Sequence, residues 1–228
     1  MSAIAQIRAS YAFVERNINL IKRYWTWELV WLVYSIADSM AVSFIGLGMG
    51  QITSQSNSTP IDLDTSYLVL YLLIGTLVWR FLSTSFYWIT ELISIERWEG
   101  TIEYTLMAPI RRTTHMAGQT FFAVVYSVLF SGVILIVTTS IFQIDLSNAN
   151  IFGAVIILLC GSFSFVGISI MGSTLPLLFP ERGQQMTHIF IALLLLVSGV
   201  YYPVTVLPGI LKDLANFSPA TYVLSGVR

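Results

Sequence analysis

Long apolar runs with very few charged residues constrain the fold of this chain more than any other feature of its sequence. A helix rises about 1.5 Å per residue, so about 20 apolar residues cross the ~30 Å hydrocarbon layer of a membrane. Five runs meet or nearly meet this length, at residues 27–50, 67–89, 116–142, 151–179 and 186–202. Only 10% of the 228 residues are charged, whereas soluble domains carry about 25%. The sequence therefore predicts a single all-α domain over 1–228, a polytopic membrane helix bundle with five spans.

Residues 4–25 show the pattern of an amphipathic helix ahead of the first span. Apolar residues recur every three or four positions and form one stripe, while basic residues fall outside it. This pattern is typical of a helix that lies flat in the membrane interface. A helix packed on a partner protein would show the same pattern, but a span follows directly here and favours the interfacial interpretation.

Lys and Arg are distributed unevenly among the segments outside the spans. Of the 11 basic residues, four lie in the amino-terminal helix, three in the loop after the second span and one in the loop after the fourth. The loops 51–66 and 143–150 have none, and the segment after the fifth span has Lys212. The positive-inside rule therefore predicts that the amino terminus and the loop after the second span face the cytoplasm.

The loop after the second span carries a charged segment that has no equal elsewhere in the chain. Its apolar residues recur at helical spacing, at Ile95, Trp98, Ile102, Leu106 and Pro109. Glu96, Glu99 and Glu103 lie on a second face. Gly100 is a weak point where we expect a bend or break, and Pro109 stops the helix at or before Ala108. The sequence thus predicts a short acidic helix over 96–108, suited either to pressing on a second protein or to lying on lipid headgroups.

Two motifs in this order are similar to one known family. The first contains Glu99-Gly100-Thr101-Ile102-Glu103, then Leu106 and Pro109-Ile110. The second contains Ser198-Gly199-Val200-Tyr201-Tyr202-Pro203, then Leu207-Pro208, then Ser218-Pro219-Ala220-Thr221-Tyr222 and Arg228. Together with the hydrophobic layout between them, they resemble ABC-2 type exporter permeases, the membrane subunits that include the daunorubicin-resistance type.

The resemblance implies roles for both motifs. It makes 96–108 the coupling helix that docks on an ATP-hydrolysing subunit, with coupling residues Glu96, Glu99, Gly100, Thr101, Glu103, Leu106 and Pro109. It makes 203–219 an external re-entrant segment that closes the exit, with gate residues Pro203, Leu207, Pro208, Leu211 and Leu214. In the family a sixth span follows the position of Arg228, so we expect one there.

The resemblance also implies partners and a location. The expected partners are ABC ATPase subunits, a second permease that is identical or related, and membrane lipid, with no nucleic acid. ATP and Mg²⁺ would be bound by the ATPase and no cofactor by this chain. The expected location is the cytoplasmic membrane of a prokaryote.

Two charges lie inside the predicted spans. Asp38 is roughly 16 Å and Arg80 roughly 10 Å from the same membrane edge, about one helical turn apart. A lone charge at that depth costs at least ~2.5–3.5 kcal/mol, so we expect Asp38 and Arg80 to pair, or Arg80 to pair with Glu28. Such a pair is either a packing lock between two helices or a polar point on a substrate path.

Motifs for catalysis are missing from the sequence. It has no glycine-rich phosphate-binding loop and no acid/base pair, and one Cys and two His make a metal site unexpected. We therefore expect a permease without its own ATPase site, which moves a hydrophobic or amphiphilic substrate (a drug, lipid or glycoconjugate) outward. The alternatives are an ion-coupled secondary transporter that uses Asp38 and an assembly scaffold without transport.

Overall fold

The computed structural model describes residues 3–55, 65–143 and 150–228. These ranges are helical and contain no β-strand. The α-helices are α1 (Ala3–Arg23), α2 (Trp25–Gln55), α3 (Thr65–Trp98), α4 (Thr101–Met107), α5 (Arg112–Phe142), α6 (Ile151–Gly172), α7 (Thr174–Leu178), α8 (Gly183–Ser198), α9 (Gly209–Phe217) and α10 (Pro219–Val227). A short 3-10 helix at Val204–Val206 precedes α9.

The all-α membrane bundle that the sequence predicts is confirmed. In the described ranges, four helical stretches are long and apolar enough to cross a membrane: Trp25–Met49, Leu68–Trp98, Arg112–Phe142 and Phe152–Leu178. Helix α8 is also apolar but has only 16 residues, about 24 Å at 1.5 Å per residue. It is shorter than the hydrocarbon layer, so the fifth span over 186–202 stays a prediction.

Helix α3 lies at the centre of the bundle and packs against α2, α5, α6, α8 and α10. Its neighbours cover apolar side chains on several of its sides, and five of these are each at most 1% exposed: Leu82, Phe86, Ile89, Leu92 and Ile93. A helix that is apolar nearly all round is buried by neighbours. By contrast, α2, α5 and α6 keep many large apolar side chains on the outside, as lipid-facing helices do.

Two predicted spans differ from the observed helices. The second span, predicted at 67–89, continues as a helix to Trp98, and in this extension Glu91 and Glu96 accept hydrogen bonds from Gln184 and Gln119. The fourth, predicted as one helix over 151–179, is interrupted between Gly172 and Thr174. Pro176 has no amide hydrogen to donate to the carbonyl of Gly172, which removes one hydrogen bond of a continuous helix at this point.

Helix α1 packs along the beginning of α5. The two helices approach closely at Gly118, where a Cβ atom would lie 2.7 Å from the backbone oxygen of Ser10. The apolar stripe of α1 faces away from the protein, with Ile7 70% and Tyr11 67% exposed. An exposed apolar stripe suits a helix in the membrane interface, and this location stays a prediction.

Candidate functional site

The turn between α3 and α4 is made by Gly100. Its φ of 69° lies in the left-handed region, which glycine adopts without steric cost. The break expected at Gly100 within the predicted 96–108 helix is therefore present: Glu96–Trp98 form the last turn of α3, and α4 covers Thr101–Met107. Ala108 is extended, as expected for a residue that precedes a proline.

Helix α4 is fixed to the end of α3 by one buried side chain and two polar contacts. Ile102 is 4% exposed, and the Thr101 hydroxyl donates to the backbone carbonyl of Glu96 at 3.3 Å. Arg97 Nη1 lies 3.6 Å from Glu103 Oε1. The outer side of this turn exposes Glu99 and Glu103 together with large apolar side chains: Trp98, Tyr104, Leu106 and Met107. The result is an acidic and apolar surface on a short, firmly attached helix.

Glu96 lies in a buried polar cluster, which we call the Glu96 cluster. Its carboxylate accepts hydrogen bonds from Arg16 Nη2 at 2.5 Å and from Gln119 Nε2 at 2.8 Å. His115 Nε2 lies 3.0 Å from both carboxylate oxygens. Asn17 Nδ2 donates to Gln119 Oε1 at 2.5 Å. The cluster joins α1, α3 and α5 immediately before the Gly100 turn.

The burial of Glu96 corrects the prediction that it shares an exposed face with Glu99 and Glu103. Its side chain is 1% exposed, so it cannot touch another protein unless the bundle rearranges. Local spacing could not show this, because its basic partners Arg16 and His115 come from two other helices. No motif in the sequence links the three residues.

Three segments meet at the end of the bundle that carries α4, which we call the α4 end. Trp98 Nε1 donates to the backbone carbonyl of Pro180 at 3.0 Å, which joins the turn to the loop between α7 and α8. Gln6 of α1 accepts hydrogen bonds from the Thr114 hydroxyl and the Arg111 amide at 2.5 and 3.3 Å. The three basic segments of the sequence thus lie at one end, and their orientation toward the cytoplasm stays a prediction.

Asp38 and Arg80 form an ion pair between α2 and α3. Arg80 Nη2 donates to Asp38 Oδ2 at 2.5 Å, and the Arg80 and Asp38 side chains are 19% and 40% exposed respectively. Glu28, the alternative partner, instead accepts a hydrogen bond from the Tyr126 hydroxyl of α5. The structure therefore brings together the pair that the depths predict, and the geometry suits a lock between the two helices.

A family comparison decides what these features belong to. The family model for the ABC-2 type transporter matches residues 10–228, nearly the whole chain. The chain belongs to this family. A comparison with curated proteins gave no match. ABC-2 permeases are transmembrane components without catalysis of their own and normally work with ABC ATPase partners. The daunorubicin-resistance type stays a prediction.

At the opposite end of the permease, which we call the α9 end, lie the residues predicted to form the gate. Pro203 and Leu207 flank the 3-10 helix, and Pro208 caps α9. Ala215 is the buried contact of α9, whereas Leu214 is 52% exposed. Ile210 and Phe217 are more than four-fifths exposed. Within one chain these residues do not form a closed plug, and the apolar side of α9 is left open.

Arg228 joins three segments at the α9 end. Its guanidinium donates to the carbonyls of Gly199 and Val200 at 3.2 and 2.5 Å and to the Tyr71 hydroxyl at 2.7 Å. It also lies 3.6 Å above the Tyr71 ring. A cation at a helix carboxyl end is favourable, so Arg228 holds α10, the end of α8 and the beginning of α3 together.

A cavity of about 750 Å³ opens between α2, α3, α5 and α8 of the permease. Its wall runs along α3 from Arg80 to Ile95, about 23 Å at 1.5 Å per residue, and continues to Glu99 in the turn. Aromatic rings from three helices line it, together with Glu28, Glu91 and His188. Sequence reasoning missed this cavity, because the aromatic residues match an interfacial belt equally well and only the packing shows which of them face one space.

Proposed function

We propose that this chain is the permease subunit of an ATP-driven ABC exporter. It moves a hydrophobic or amphiphilic substrate, a drug, lipid or glycoconjugate, outward across the cytoplasmic membrane of a prokaryote. The α4 end faces the cytoplasm, and separate ATPase subunits bind ATP and Mg²⁺ there. A second permease, identical or related, completes the path, and the segment 203–219 closes its outer end.

The attachment of α4 carries the proposal. A surface that transmits the movement of a partner subunit to the membrane helices must be exposed and rigidly attached to them. The outer side of the turn exposes Glu99, Glu103 and four large apolar side chains, while Ile102 and the Glu96 cluster anchor its base. Exposed apolar residues outside the membrane are typical of an interaction surface. Helix α1, bound to the same cluster through Arg16, forms the other part of the docking surface.

The alternative, an ion-coupled transporter that uses Asp38, receives less support. Asp38 is engaged by Arg80 at 2.5 Å, and a paired carboxylate has little left to offer a transported cation. The family to which the chain belongs normally works with ABC ATPases. Both observations favour ATP as the energy source.

Charge reversal at α4 tests the proposal. Tagged permease with Glu99→Lys and Glu103→Lys together should still reach the membrane but should retain several-fold less ATPase on purification, since both side chains are exposed and the Arg97 pair of Glu103 is weak. Asp213→Lys, an exposed charge reversal on α9, is the matched control and should retain the wild-type amount.

Two results would contradict the proposal. One is undiminished co-purification with normal ATP-dependent transport in the double variant. The other is wild-type permease that purifies without a stoichiometric ATPase and still transports, which would favour the ion-coupled alternative.

A further inference from the structure

Besides the exposed Glu99 near the Gly100 turn, the cavity contains two half-buried carboxylates, Glu28 and Glu91, that no basic side chain neutralises. Glu28 accepts a hydrogen bond from the Tyr126 hydroxyl, and Glu91 Oε2 accepts one from Gln184 Nε2 at 2.8 Å. Both donors are neutral. Across the ranges 3–55, 65–143 and 150–228, no Lys, Arg or His nitrogen lies within 4.0 Å of either carboxylate.

The other acidic residues inside the bundle are treated differently. Glu96 has Arg16 and His115 beside it, and Asp38 has Arg80. Arg80 also lines the cavity, but its Nη2 is engaged by Asp38. Negative charge in a membrane span is expensive unless an opposite charge accompanies it. Glu28 and Glu91 are half-buried and open to the cavity, so a positively charged ligand can supply the neutralising charge that the protein lacks there.

Aromatic rings surround the same space. Trp88 packs edge-on against Tyr126 with centroids 4.8 Å apart, and Tyr126 stacks on Phe130 at 5.6 Å. Trp27, Trp31 and Tyr34 of α2 form the facing wall. Aromatic faces attract organic cations through their quadrupole and also hold apolar groups by area. A volume of about 750 Å³ is in the range of pockets for drug-sized ligands.

We propose that this cavity binds an amphiphilic organic cation, with the positive charge near Glu28 and Glu91 and the apolar body against the aromatic walls. The proposal deepens the exporter function and rests on it for the statement that the bound cation is cargo. His188, whose ring lies 5.8 Å from that of Tyr87, borders the site from α8.

Two probes of nearly the same shape and opposite charge test this inference. Equilibrium dialysis measures tetraphenylphosphonium and tetraphenylborate on the purified permease–ATPase complex in lipid nanodiscs without ATP, with empty nanodiscs subtracted. The wild-type complex should bind the cation saturably and the anion only weakly. Glu28→Gln with Glu91→Gln should weaken cation binding by about tenfold or more and leave anion binding equal or stronger.

Glutamine keeps both neutral hydrogen bonds, because its oxygen still accepts from Tyr126 and Gln184, so the change is one of charge. Glu15→Gln, an exposed acid on α1, is the matched control and should bind the cation like the wild type. Should the double variant not fold, the single variants Glu28→Gln and Glu91→Gln, each with a smaller loss of cation affinity, carry the same test.

The inference is overturned if the wild type does not bind the cation, if both probes bind equally, or if the glutamine variants bind the cation unchanged. Its failure is separable from failure of the exporter function. If the complex transports with ATP but shows no charge-selective binding, the cation-binding proposal is rejected and the exporter function stands. If the cation binds and this binding depends on the carboxylates, but the protein shows no ATP-dependent transport, the cation site stands and the exporter function is rejected.

Discussion

Arg16 and Glu96 are 80 positions apart in sequence and are joined by an ion pair of 2.5 Å. The Glu96 side chain is 1% exposed, whereas that of Arg16 is 35% exposed. The pair therefore attaches a surface helix, α1, to the last turn of the central helix α3. Because the Gly100 turn follows four residues later, any displacement of α4 acts directly on this attachment.

Removing the charge of Glu96 should loosen α1 from the bundle. Glu96→Gln keeps an acceptor for His115 and Gln119 but leaves Arg16 without its counter-ion, so we expect a loss of about 1–3 kcal/mol in the free energy of unfolding. Thermal unfolding in detergent measures the loss, with Glu15→Gln on the exposed side of α1 as the control. Reconstituted complexes should also hydrolyse more ATP per substrate moved. Equal stability and equal coupling would show that the cluster is dispensable.

The Asp38–Arg80 pair should behave as a unit. Asp38→Asn alone strands Arg80 between α2 and α3 and should cost about 2.5–3.5 kcal/mol. Combining Asp38→Asn with Arg80→Gln should recover part of this loss, with a coupling energy of about 0.5–3 kcal/mol between the sites. A complete double-mutant cycle of unfolding measurements gives this energy. Losses that simply add would mean that the contact contributes nothing to stability.

Periodicity and helix-breaking residues predicted much of this fold. Long and nearly uncharged runs predicted the four long spanning helices, because lipid imposes the same demand on every residue of a spanning helix. Gly100 marked the turn because only its own backbone conformation matters there. The depth argument found the Asp38–Arg80 pair because two antiparallel helices share one depth coordinate.

The burial of Glu96 and the cavity could not be predicted in this way. Each depends on which faces of three or four helices turn toward one another, and that is decided by packing. Trp88 matches the membrane-interface pattern as well as it matches a binding wall, and Tyr126 matches ordinary helix packing equally well. Gly161 lies in an apolar helix, and nothing in the sequence indicates that Val223 packs against it.

A cysteine on α9 should report whether the 203–219 segment lies at the interface between two permeases. In a Cys160→Ser background, Leu214→Cys should cross-link to its counterpart when transport is idle, because its exposed position has an apolar surface on both sides. The cross-link should weaken while ATP is being turned over. Asp213→Cys, on the polar side of α9, is the matched control and should cross-link poorly in both states.

Labelling of Leu214→Cys by a reagent dissolved in the lipid, without a cross-link in any state, would place α9 at the lipid face. That result would remove the gate while leaving the α4 docking surface untouched.

The contact between α6 and α10 should tolerate no added carbon at Gly161. A Cβ atom there would lie 2.3 Å from Val223 Cγ2, so Gly161→Ala should destabilise the permease by about 1–3 kcal/mol through overpacking. Gly167→Ala on the same helix meets no atom within 4 Å and should be neutral or slightly stabilising. Adding Val223→Ala should rescue Gly161→Ala, as measured by thermal unfolding. Equal effects of the two alanines would contradict the close contact.

Helix α3 is held by polar contacts at three points, and the middle point lies closer to its beginning than to its end. It is continuous from Thr65 to Trp98, and the Asp38–Arg80 pair clamps it between Tyr71, held by Arg228, and Glu96, held by Arg16. At 1.5 Å per residue, the arm from Arg80 to Glu96 is about 24 Å and the arm to Tyr71 about 14 Å. A tilt about the clamp therefore moves the two ends in opposite directions, and the Tyr71 end travels a little over half as far. If the push proposed at α4 tilts α3 in this way, the carbonyls of Gly199 and Val200, which are bonded to Arg228, are pulled in the reverse sense.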